Sequence, residues 1–227
     1  HKDTVVATIR GTGLTEETRT FGTFTCDLEG LIAWLKDTVI THVAMESTGV
    51  YWKPVYYVLE GHFDIILVNA RHIKNVPGHK TDKKDSEWIA QLLLSGLLKR
   101  SFVPDAQTRQ LRVLYRHRKK LINQRSREKN RLQNILEDAN IKLGSVVSDV
   151  FSKTGQAIIK HLIKGFTDPV QLSNLAKGSL VRKKSELEKA LHGRFSDHHR
   201  FMAELIMDTI DSINVLISRI EIQIAKC

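Results

Sequence analysis

At 227 residues the chain can bury one good core with room for an appended second unit. Its apolar and charged fractions, 41% and 26%, are those of a soluble protein; no apolar run approaches the roughly 20 residues of a membrane span, and no signal-peptide pattern opens it. The net charge of +10 is focused, because Lys99 to Arg131 holds twelve Lys and Arg against two acids while the remainder balances at 23 of each. A merely solvated helix interleaves both signs, so this stripe points to a phosphate backbone. Cys26 and Cys227 are too few for a disulfide framework, which makes a reducing cytoplasm the expected compartment.

In chain order, Thr4 to Ile9 is β-branched-rich and reads as a strand, Gly11 and Gly13 mark a turn, and Phe21 to Thr25 reads as a returning strand. Asp27 is placed to cap a helix whose Leu28, Leu31, Ile32 and Leu35 recur at helical spacing. A short strand, HVAME, ends at Glu46; Ser47-Thr48-Gly49 turns the chain into the helix VYWKPVYYVLEG; Asp64 to Val68 is a buried strand. RHIKNVPGHK is a Gly/Pro-broken basic loop, and Thr81 or Asp82 opens the next helix. This alternation predicts an α/β domain over residues 1–103, a mixed sheet with helices on its faces. Tyr51 and Trp52 could stack on a base, but aromatics on a helix beside a sheet are more often core, and core is the expectation here.

Residues 104–227 change character and predict an all-α coiled-coil or helical-bundle region. Asp105 to Asn140 is one long helical pattern, with Leu111, Leu114, Leu121, Leu132, Ile135 and Ala139 at heptad-like spacing interrupted by Arg118 and Arg125. Shorter helices are expected around Val146 to Ile163 and Leu172 to Ala176, then a final helix from about Ser196. There Ile206, Ile210, Ile213, Ile217, Ile220 and Ile224 form a strict heptad seam, suited to a bundle within one chain or to a multimer. The sequence opens within a strand pattern and closes within a helical one, so it is expected to be a piece of a longer protein.

Asp82 and Asp85, three apart on a helix, can turn their carboxylates into one site, and Glu46 sits at a strand's C-terminal end, where α/β sites collect. Such hard oxygen donors suit Mg²⁺, with Mn²⁺ as substitute; two ions about 4 Å apart could activate a water or hydroxyl against a phosphodiester. Arg71, Lys74, His79, Lys80, Lys83 and Lys84 surround the pair and would hold the phosphate strand. On the long helix Arg109, Arg112, Arg116, Lys119 and Arg127 are the expected phosphate contacts. A D-x-x-D pair alone is weak, since acids also favour a helix start through its dipole. The histidines lack partners at zinc-ligand spacing, so zinc is not expected.

AMESTGVYW at 44–52, LVNARHIKNVPGHKTDKKDSEWIAQLL at 67–93 and LRVLYRHRKKLINQRSREKNRLQNILEDANIKL at 111–143 resemble the DEDD transposases of the insertion sequence 110 family. The resemblance implies a RuvC-like, RNase H-fold domain, its first strand truncated here, followed by a coiled-coil region and a separate serine-nucleophile domain beyond this chain. It maps the acidic tetrad's glutamate to Glu46 and its last two aspartates to Asp82 and Asp85; the first aspartate would lie just upstream of His1, and Asp3 does not replace it. It further implies Mg²⁺ at the tetrad, DNA transposition or site-specific recombination guided by a structured RNA, assembly as dimers or tetramers, and a bacterial or archaeal, nucleoid-associated setting. This chain is expected to bind nucleic acid without catalysing strand exchange alone. A free-standing RuvC-like nuclease such as a junction resolvase, and a non-catalytic oligomerising scaffold, are the alternatives.

Overall fold

The computed structural model describes residues 2–70 and 82–227, with the side chains of Asp82, Lys83 and Lys84 outside that description. The chain divides into two compact units, His1–Pro104 and Asp105–Cys227. The expected phosphate contacts Arg71, Lys74, His79 and Lys80 fall outside the described residues.

The first unit runs β1 (Thr4–Ile9), β2 (Glu17–Gly22), α1 (Thr25–Asp37), β3 (His42–Glu46), α2 (Trp52–Leu59), β4 (Asp64–Val68) and α3 (Asp82–Leu94). β1 and β2 pair antiparallel from Thr4 against Gly22 to Ile9 against Glu17. β3 and β4 pair parallel from His42 against Asp64 to Glu46 against Val68. Among the described residues these are two separate two-stranded ladders rather than one mixed sheet. After α3 the chain returns to β4, where Ser101 N–H donates to Leu67 O at 2.7 Å.

The returning strand lies upstream of the Phe21–Thr25 expectation. Pairing with β1 fixes its register, and that register takes in the polar run Glu17 to Thr20, which has no strand-like apolar alternation. Phe24 instead becomes the exposed N-cap position of α1, and Asp27 sits inside the first turn. There its carboxylate acts on the helix dipole rather than as a cap. The apolar stripe of α1 is buried as spaced: Leu28, Leu31, Ile32 and Leu35 pack with Val55 and Leu59 of α2, Ile9 of β1 and Ile65 of β4. Tyr51 is not core; it stands 52% exposed just before α2. Trp52 is half-buried, edge-on to Tyr56 at 5.7 Å.

The second unit runs α4 (Ala106–Asp138), α5 (Leu143–Val146), α6 (Lys153–Ile163), α7 (Pro169–Ser173), a 3₁₀ segment (Gly178–Lys183), α8 (Lys184–Ala190) and α9 (Asp197–Ala225). α4 starts where Asp105 Oδ1 accepts from Thr108 N–H at 2.9 Å. α9 starts at a reciprocal cap between Ser196 and His199. The two long helices run antiparallel: Arg118 meets Glu221, and Arg125 meets Asn214, seven residues on along each arm. The isoleucine seam is buried at Ile206, Ile210, Ile213 and Ile217, so it serves as the inner stripe of a bundle within one chain. Leu132 and Leu136 of α4, Ile158 and Leu162 of α6, Leu172 of α7 and Leu187 of α8 form one core cluster with Ile206 and Ile210 of α9, and Leu121 packs with Ile213 and Ile217 in a second. α8 was not anticipated, and α7 begins earlier than the Leu172–Ala176 expectation because Asp168 caps it through Val170 N–H and Pro169 opens it.

Candidate acidic site and nucleic-acid interface

Glu46 is the last residue of β3, level with Val68, the last of β4. Ser47 N–H donates to Val68 O at 2.9 Å, carrying the ladder one step further before the chain turns at Gly49, whose φ of +60° suits glycine. Within that turn the Thr48 hydroxyl donates to Glu46 Oε1 and orients the half-buried carboxylate.

Asp82 and Asp85 lie on the first turn of α3, and Asp85 is exposed. α3 packs against β1, β2 and β3. Its start is fastened by a hydroxyl cluster: Thr8 Oγ1 on β1 lies 2.8 Å from Ser86 Oγ and 2.8 Å from Thr18 Oγ1 on β2. The helix bearing both aspartates is therefore tied to the first ladder by the residue that follows Asp85. Among the described residues no three His, Cys, Asp or Glu side chains gather within reach of one metal ion. Asp82, the third acid of the expected set, has its side chain outside them. Thr48 and the Thr8–Thr18–Ser86 cluster escaped sequence reasoning, because a hydroxyl's partner is set by which strands lie side by side.

In the second unit, α4 sorts its cations by face. At about 100° per residue, Arg109, Arg112, Arg116, Lys119 and Arg127 fall within an arc of about 80° opposite the stripe that packs on α9. Arg112, Arg116, Lys119 and Arg127 are exposed and no carboxylate among the described residues pairs with them; Arg109 is half-buried. Arg109 to Arg127 is a run of about 27 Å along the helix. The arginines that interrupt the heptad pattern face the other way and are engaged. Arg118 Nε and Nη2 donate to Glu221 Oε1 at 2.9 and 2.6 Å, and Arg125 Nη1 donates to Asn214 Oδ1 at 2.9 Å. Buried Glu128 accepts from Arg131 at 3.0 Å. No helix among the described residues is long and apolar enough to cross a membrane.

A sequence model of the DEDD transposase family of insertion sequence 110, described as a transposase, matches residues 1–141. That span takes in Glu46, Asp82, Asp85 and the whole of α4. No curated protein matches the chain.

Proposed function

The chain belongs to the DEDD transposase family of insertion sequence 110, and from that premise we propose that it is the metal-site and nucleic-acid-binding portion of a DNA transposase. The observation that carries this reading is the family match across residues 1–141, which holds all three acids and the basic helix together. Glu46, Asp82 and Asp85 are the proposed acidic site. Their donor chemistry fits a hard divalent cation, since carboxylate oxygens are what Mg²⁺ and Mn²⁺ take. Bound there, Mg²⁺ would supply Lewis-acid stabilisation of charge on a phosphodiester. The chain's own residues do the positioning: Thr48 orients Glu46, and α3 presents the aspartates from its first turn.

A RuvC-like fold is the proposed architecture of the first unit, supported by the family match and by α3, which packs against strands of both ladders, β1 and β3. The outer face of α4 is the proposed phosphate-contacting surface, for DNA and for a structured guide RNA. Self-association through the helical unit is supported by exposed Val215, Leu216 and Ile222 on α9 and Val113 and Tyr115 on α4.

Mn²⁺ binding to the 227-residue chain, followed by the loss of its free-ion paramagnetic signal, tests the acidic site. Glu46→Gln and Asp85→Asn should each weaken binding at least about tenfold. Parent-like affinity in both would remove the metal-site reading.

A further inference from the structure

The balance of charge outside Lys99–Arg131 conceals a second basic tract. Residues 150–185 hold seven Lys and Arg, at positions 153, 160, 164, 177, 182, 183 and 184, against one acid, Asp168. That acid is engaged in capping α7 through Val170 N–H at 3.0 Å. The whole tract lies beyond the residues matched by the transposase family, and none of it belongs to the face of α4 described above.

The fold lines three of these cations along one helix and ties the start of the segment that carries the others to that helix's first turn. Lys153, Lys160 and Lys164 are spaced seven and four apart along α6 and its C-cap, which places them on one arc of about 40°. All three are exposed, while the opposite face of α6 buries Ile158, Ile159 and Leu162 in the core. From Lys153 to Lys164 the row extends about 16 Å, close to the axial rise of five base pairs. Lys177 N–H then donates to Thr154 Oγ1 at 3.2 Å, which ties the start of the 3₁₀ segment to the first turn of α6 beside Lys153. The 3₁₀ segment carries exposed Arg182 and Lys183 into half-buried Lys184.

Like Arg112, Arg116, Lys119 and Arg127 on the outer face of α4, these seven cations have no carboxylate partner among the described residues. Elsewhere in the helical unit Arg118, Arg131, Lys142 and Arg200 each meet a carboxylate. A surface that exists only to be solvated gains nothing from holding one acid against seven cations over 36 positions, and like charges at such spacing repel unless counter-charge arrives from outside.

We propose that the lysine row of α6 and the Lys177–Lys184 segment form a second polynucleotide-binding surface, which takes the phosphate backbone of a DNA or RNA strand without reading its bases. It rests on the reading of the helical unit as a nucleic-acid binder and adds to it a contact region independent of α4. Each phosphate neutralised releases counterions, so the number of contacts can be counted from the salt dependence of affinity.

The test measures binding of a short DNA duplex and of an RNA hairpin to the full chain across a salt series. Lys160→Gln, Lys164→Gln, Arg182→Gln and Lys183→Gln combined should lower the log–log salt slope by about 2 to 3 on the polymer bound here. A fall of at least about 1 on either polymer supports the surface and says which polymer it holds; a smaller change on both overturns it. Arg112→Gln, Arg116→Gln and Lys119→Gln combined, measured alongside, separates the two failures. If only that variant lowers the slope, the second surface is wrong and the binding role of α4 stands. If neither does, the nucleic-acid reading of the helical unit falls with it. Should the quadruple variant lose its helical circular dichroism, Lys160→Glu with Lys164→Glu decides alone: weakening of at least about tenfold supports the surface, and unchanged binding to both polymers overturns it.

Discussion

The two faces of α4 use the same residue for opposite ends. On the inner face Arg118 and Arg125 occupy heptad positions that a coiled coil would fill with leucine, and each hydrogen-bonds across to α9. On the outer face Arg112, Arg116 and Arg127 are exposed with no carboxylate partner among the described residues. Composition counts all five alike. The difference teaches that a basic helix is understood only after its paired cations are subtracted: paired ones set register, and unpaired ones are available to a ligand.

Substitutions on either side can break that contrast. The largest stability effect belongs to neither set of arginines but to the core beneath them. Leu132→Ala removes a side chain with 0% exposure from the centre of the helical unit and should cost about 2 to 5 kcal/mol, seen as a lowered midpoint in denaturant. Next, Arg112→Gln, Arg116→Gln and Lys119→Gln together should lower the salt slope of nucleic-acid binding by up to about 3. The same variant should leave the unfolding midpoint nearly unchanged, as surface substitutions do. Arg125→Ala should do the reverse, costing about 1 kcal/mol of stability with little change in salt slope. Equal losses of binding from inner and outer substitutions would erase the distinction between the faces.

The smallest effect is a pH dependence at the start of α4. Hydrogen bonds from the backbone and then the side chain of Thr108 hold the Asp105 carboxyl below its ordinary value. A carboxyl so depressed contributes stability that is present above its unfolded pKa and is lost as pH falls through the lower folded value. The protection factors of amides in the first turn of α4, taken against intrinsic exchange at each pH, should therefore fall on acidification below about pH 4, and Asp105→Asn should flatten that response.

Much of the helical unit was legible because heptad spacing is local. The seam from Ile206 to Ile217, the helix starts at Asp105 and about Ser196, and the arginine interruptions of α4 can all be read within a few turns of chain. α8 escaped because its seven residues bury only Leu187 and Ala190, too few to show a period. The basic tract of residues 150–185 escaped for a different reason. Acid-rich α9, with Asp197, Glu204, Asp208, Asp211 and Glu221, cancels it in any sum over the remainder of the chain.

Strand positions were legible too, except β2, but the division into two ladders was not. β-branched runs announce a strand without naming its neighbour, and pairing across many residues is decided by packing. The same limit applies to the candidate site. The positions of Glu46, Asp82 and Asp85 at element ends could be read from pattern. The hydroxyls of Thr48, Thr8 and Ser86 that brace them could not, because Thr8 and Ser86 become neighbours only when α3 lies down on β1.

The antiparallel pairing of α4 and α9 brings Gln107, near the beginning of one arm, to the backbone carbonyl of Cys227 at the far end of the other. The arms thus leave and regain a common base, with the cluster of short helices at the tip. Equal heptad additions or deletions in both arms would move that tip outward or inward like a telescoping mast, while the foot stays in place. Reach is therefore a free variable of this architecture, open to change without rebuilding either end.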